Sequence, residues 1–179
     1  MPAGFVQMIN DCGVLVELRA LVGCVDVMRA VPLCRPASRV APLEQDLAMI
    51  PLPAGSCGAV AGSRAKMMPR LGFRWMTPGV YAALIHASYR GPIGYFEIEY
   101  TAYSGWEAAA VWVEGVLAYG PEHSAPLRTG PLGDATPVAE ALRRLGALVD
   151  EVPDEVVTVG LDRFRCTKDW FAAASEPAR

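Results

Sequence analysis

A chain of 179 residues that is 53% hydrophobic and 20% charged has the apolar content for a packed core, which excludes a disordered polymer. A formal net charge of −3 lacks the basic surplus that phosphate backbones demand, so nucleic acid is excluded as a first partner. The charge is uneven: residues 1–80 hold eight Lys or Arg against five Asp or Glu, and residues 81–179 hold eight against fourteen. All seven methionines lie at or before Met76, and this asymmetry marks a boundary near residue 80.

The run Val14 to Val31 is the most apolar in the chain, but Glu17, Arg19, Asp26 and Arg29 interrupt it, which argues against a membrane span. Asp11, with no Lys or Arg before the run, argues against a secretory leader, and Leu21-Val22-Gly23-Cys24 resembles a lipoprotein box only without its flanks. Leu18, Leu21, Val22, Val25 and Met28 recur at spacings of three and four, which predicts an amphipathic helix over about 14–31. From Pro32 to Gly79, prolines and glycines punctuate the chain without a sustained period, as in a linker. Residues 1–80 are therefore expected to be a poorly patterned N-terminal extension. Met67, Met68 and Met76 are alternative starting points within it, and Arg64, Lys66, Arg70 and Arg74 read as a solvated basic face.

Cys12, Cys24, Cys34, Cys57 and Cys166 are odd in number and match neither a metal knuckle nor a compact disulfide framework. Free thiols in a reducing cytoplasm are the expectation. No metal and no cofactor is implied. His86 and His123 are both expected in loops without a second ligand at metal spacing.

Residues 88–172 read as a compact α+β domain. Ile93 to Tyr100 alternate, with Tyr95, Glu97 and Glu99 on one side and Phe96, Ile98 and Tyr100 on the other, which predicts a half-buried strand. After a turn at Tyr103-Ser104-Gly105, Ala108 to Val113 is apolar on both sides, as a central strand would be. Glu114-Gly115 then forms a tight turn into a third strand, Val116 to Tyr119. Thr136 is placed to cap a helix with Pro137 at its first position, Val138, Ala141, Leu142 and Leu145 on its buried face, and Gly146 at its end. Beyond an acidic link at Asp150, Glu151, Asp154 and Glu155, Val156–Val159 fits either a strand or a helical turn. Thr167 is a candidate cap for a last helix anchored by Trp170 and Phe171. The expected fold is an antiparallel sheet of three or four strands covered by one or two helices.

Gly91-Pro92, Tyr95, Glu97, Glu99-Tyr100, Gly105, Glu107, Ala108 to Trp112 and Gly120-Pro121 resemble a family of small uncharacterised bacterial proteins of actinobacterial type. The likeness extends through Ala141-Leu142-Arg143, Leu145-Gly146, Asp154-Glu155, Gly160-Leu161, Arg163, Arg165, Thr167 and Asp169-Trp170, so it spans about residues 91–170. This chain departs from that pattern at Thr101-Ala102-Tyr103, where the family has Phe-Gly-Gly, and at Phe164, where it has His. The resemblance carries no reaction with it. It implies that the functional unit is the C-terminal half.

Glu97 and Glu99 should stand about 7 Å apart on one strand face, and Arg163 and Arg165 would share a face if their segment is extended. If the pairs met, they would form either a cross-strand ion-pair ladder or a polar pocket with carboxylates as acid and base and arginines as an anion clamp. Trp106, Trp112, Tyr95, Tyr100 and Tyr103 cluster nearby and are expected in the core. Two functions follow. One is an acidic protein-binding module, immunity-like in using its sheet face and the Arg163–Trp170 segment to hold a partner, or to pair as a homodimer. The other is a small enzyme or ligand-binding protein built on Glu97, Glu99, Arg163 and Arg165.

Overall fold

The computed structural model describes residues 14–33, 39–53, 71–101, 104–124, 136–148 and 155–174. Arg64, Lys66, Arg70, Met67, Met68, Cys12, Cys34, Cys57, Tyr103 and the acidic link at 150–154 lie outside them. Among the described residues the strands are β1 (Val14–Cys24), β2 (Ala41–Pro42), β3 (Leu47–Pro51), β4 (Ile93–Thr101), β5 (Gly105–Val113) and β6 (Val116–His123). The helices are α1 (Val25–Arg29), α2 (Pro78–Ser88), α3 (Pro137–Arg144), α4 (Glu155–Thr158) and α5 (Thr167–Ala173). The six strands form one antiparallel sheet in the order β2-β3-β1-β4-β5-β6.

The fold is α+β, as expected, but its sheet has more strands than the three or four foreseen and its helices lie on both faces. The largest correction falls on residues 14–31. They are a strand and a five-residue helix, not one amphipathic helix. β1 lies between β3 and β4, where both faces are buried: Val16, Leu18, Ala20 and Val22 point to one side and Leu21 to the other. A central strand has no need of strict alternation, so its apolar run also satisfies helical spacing. Residues 1–80 are accordingly more than an extension, since β1 to β3 build half of the sheet on which the C-terminal strands lie.

One face of the sheet packs Phe96, Ile98, Val111 and Val16, Leu18, Ala20 and Val22 of β1 against Val138, Ala141 and Leu142 of α3, Val156 of α4 and Trp170 of α5. The opposite face packs Leu21, Ile50, Ile93, Tyr95 and Trp112 against Val27 and Met28 of α1 and Val80, Ala83 and Leu84 of α2. α3 forms as its sequence signals dictate: Thr136 Oγ1 accepts from the Ala139 N–H at 3.2 Å and Pro137 opens the helix. Leu142 is 0% exposed, so Leu142→Ala is expected to cost about 2–5 kcal/mol, read as a lowered urea midpoint.

Other expectations resolve in detail. The Glu114-Gly115 turn has φ of 51° and 79°, the paired positive values that let a two-residue hairpin follow strand twist. Val156 to Thr158 belong to helix α4, and His86 lies on α2 and His123 at the end of β6 rather than in loops. Thr167 does not cap α5. Cys166 occupies that position, and the Thr167 hydroxyl instead donates to Glu17 O at 3.1 Å and accepts from Arg19 N–H at 3.0 Å. With Glu17 N–H donating to Arg165 O at 2.9 Å, this segment lines the stretch of β1 that β3 leaves uncovered. Among the described residues no helix is long and apolar enough to cross a membrane.

Candidate functional site

Strand register decides which polar residues meet. Glu17 of β1 stands opposite Glu99 of β4, and Glu99 opposite Trp106 of β5; one row along, Arg19 faces Glu97, Glu97 faces Ala108, and Ala108 faces His123 of β6. These residues share the α2 face of the sheet and form a two-row polar and aromatic floor. Over it runs the segment Leu71 to Met76, pinned by Phe73 (3% exposed) and Met76 (0% exposed) and continuing into α2 through the Thr77 cap.

Glu97 fixes that segment. Its carboxylate is buried and accepts from the Arg74 and Trp75 backbone N–H groups, each at 2.8 Å, and from the Tyr95 hydroxyl at 2.6 Å. A buried carboxylate needs such donors, because an unpaired charge in the interior is costly. At 0% exposure it also offers no free oxygen to a substrate, so its role is to anchor. Gly72, with φ of 73°, brings the chain against β6: a Cβ there would lie 2.5 Å from His123 Nε2.

The side chains of this segment join those of the floor in a stack of rings and cations. The Trp75 and Trp106 rings stand edge to face at 6.1 Å and 79°, and His123 stacks on Trp106 at 6.0 Å and 20°. Phe73 meets Tyr95 at 4.8 Å and His123 at 5.9 Å. The Arg74 guanidinium lies 4.0 Å from the Trp106 centroid and the Arg19 guanidinium 4.0 Å from that of Trp75, both within cation–π range. Arg19 also pairs with Glu17, leaving its buried Nε without an acceptor, while Arg74 Nη1 reaches Glu99 at 3.4 Å.

The four candidate residues are thus divided. Glu97 and Glu99 share this face, but Arg163 lies elsewhere, donating to Gly160 O at 3.0 Å and Pro42 O at 3.1 Å and pairing with Glu44 at 3.7 Å beside the β2 edge. The segment carrying Arg163 turns back on Gly160 rather than extending, so the two arginines are not presented as a pair to the two glutamates. Arg165 comes near Glu17 through its backbone carbonyl. Arg19 stands opposite Glu97 in the strand register, and Arg74 pairs with Glu99. Reading 14–24 as a strand would have put Glu17 and Arg19 on one face; Arg74, Trp75 and His123 required contacts that local periodicity does not encode.

Among the described residues no group of three His, Cys, Asp or Glu is placed to hold a metal ion. Burial, followed by a hydrogen bond to the Asp169 carboxylate, pushes the Cys166 thiol above its usual range. The thiolate is the reactive form, so at about pH 8 iodoacetamide is expected to label exposed Cys24 well before Cys166. Cys166 labelling should accelerate only at higher pH; peptide mass mapping over a pH series checks both.

Comparison with protein families, curated proteins and solved structures returns no match to this chain. The site must therefore be read from its own chemistry.

Proposed function

We propose that the protein is a small acidic protein-binding module of the neutralising, immunity-like kind, and that its contact surface is the cluster of Arg74, Trp75, Trp106 and His123 rimmed by Glu17 and Glu99. The observation that carries this reading is a set of partly exposed aromatic and arginine side chains, two of which, Arg74 and Trp75, stand on a backbone segment hydrogen-bonded to a buried anchor, Glu97. Trp and Arg are enriched at the energetic centres of protein interfaces, Trp because it brings large contact area at small entropic cost and Arg because its guanidinium makes several directed hydrogen bonds. Pre-organisation by Glu97 lowers that cost further.

The enzyme alternative has less support. It requires Glu97 and Glu99 as an acid–base pair, and Glu97 already has three donors and no exposed surface.

The test is capture of a stoichiometric partner by the full chain from cells that produce it, repeated with Trp106→Ala. Loss of the partner, or of a homodimer on size-exclusion chromatography, is expected in the variant, with far-UV circular dichroism unchanged. Capture that survives the substitution would falsify the assignment of this surface.

A further inference from the structure

We propose that the corner between Trp75 and Trp106 is a cation-recognition site, in which Arg74 stands in for an arginine or lysine side chain of the partner. The two rings, at 79° and 6.1 Å, make two walls of the kind that enclose organic cations, and Glu99 supplies a carboxylate at the opening. The Arg74 guanidinium occupies this corner, 4.0 Å from Trp106 and 5.8 Å from Trp75, with its ion pair to Glu99 at 3.4 Å. The Trp106 face, the Trp75 ring at the outer limit of cation–π range and a carboxylate are an acceptor set for a guanidinium or ammonium group, and the Arg74 guanidinium already occupies it.

The occupant can be exchanged without dismantling the site. Glu97 holds the backbone of Arg74 and Trp75, not the Arg74 side chain, which is 46% exposed. Rotation about the Arg74 side-chain bonds empties the corner and leaves both walls in place. Arg19 is the fixed cation of the stack, 12% exposed, on Trp75 and paired with Glu17. An incoming cation replaces like with like, so the intrinsic chemistry of the corner is kept and the affinity is reduced by competition with Arg74. The net charge of the chain, nineteen Asp or Glu against sixteen Lys or Arg, favours a basic partner over an acidic one.

This inference rests on the contact-surface reading, and its test is separable from the test of that reading. Tryptophan fluorescence of the full chain is titrated with N-acetylarginine amide against sodium chloride at matched ionic strength; Trp112 and Trp170, 1% and 2% exposed, give a constant background. The expected result is saturable binding to Arg74→Gln at least about tenfold tighter than to the natural chain, lost when Glu99→Gln or Trp106→Ala is added. Absence of saturable binding in Arg74→Gln with native circular dichroism overturns the inference, as does affinity undiminished by Glu99→Gln. If partner capture is lost in Trp106→Ala while Arg74→Gln ignores the probe, the contact surface stands and the cation corner falls. If capture survives Trp106→Ala, the contact surface falls and the assignment to a partner's side chain falls with it.

Discussion

A chain beginning at Ala87 is expected not to fold. It retains β4, β5, β6 and α3 to α5 but loses β1, β2, β3 and α1 with nearly all of α2. β4 would then become an edge strand along the stretch that β1 pairs, from Tyr100 opposite Val16 to Ile93 opposite Gly23, with Phe96 and Ile98 left facing a half-built core. Leu18, Leu21 and Val22 are each at most 2% exposed. Burial of a side chain of that size contributes about 1.5–3 kcal/mol, so these three alone rival the whole stability of a domain, about 5–15 kcal/mol. The shortened chain should lack a cooperative urea transition and bind a dye for exposed apolar surface, whereas the full chain unfolds sharply. A shortened chain that unfolds with the same midpoint would show that residues 91–170 need nothing before them.

That outcome bears on how the fold is written in the chain. α3 was legible because Thr136-Pro137 and Gly146 announce both of its ends, and β4 to β6 were legible through the alternation of Tyr95 to Tyr100 and the Glu114-Gly115 turn. β1 was not, because a strand buried on both faces loses its period of two, and Leu18, Leu21, Val22, Val25 and Met28 also fit a helical stripe. α2 carries the same Thr-Pro signature at Thr77-Pro78, and the Thr77 hydroxyl accepts from the Val80 N–H at 3.2 Å; the surrounding prolines and glycines hid it.

The site follows the same division between local and distant information. Alternation alone puts Glu97 and Glu99 on one face, but which cations reach them depends on β1 register and on a segment some twenty residues upstream of Glu97. Arg163 and Arg165 alternate in sequence just as Glu97 and Glu99 do. Arg163 sits in a turn, its N–H bonding back to Gly160 O at 3.4 Å, while Arg165 leads into the isolated bridge of Cys166 with Glu17, so the two do not alternate along one strand.

Glu97→Ala is expected to be the most damaging single substitution at the site. It strands the Arg74 and Trp75 backbone N–H groups and the Tyr95 hydroxyl, all bonded to one carboxylate in a position with no access to solvent. Hydrogen bonds to a charged group contribute about 1.5–3 kcal/mol each, and unsatisfied buried donors add a penalty, so a loss of about 3–5 kcal/mol is expected after partial relaxation. Glu97→Gln keeps the shape and one accepting oxygen but turns an amide NH2 toward a donor, so it should lose less than Ala and more than Tyr95→Phe, which leaves the carboxylate and both of its backbone donors in place. Urea midpoints should therefore fall in the order Tyr95→Phe, Glu97→Gln, Glu97→Ala. Amide hydrogen exchange locates the effect: in both Glu97 variants the Arg74 and Trp75 amides should exchange much faster, while those of α3 change only as far as global stability changes. Unaltered protection at Arg74 and Trp75 would mean that Phe73 and Met76 alone hold the segment. The anchor would then have no part in setting the stack of Trp75 and Trp106, and the rigidity of the contact surface would need another source.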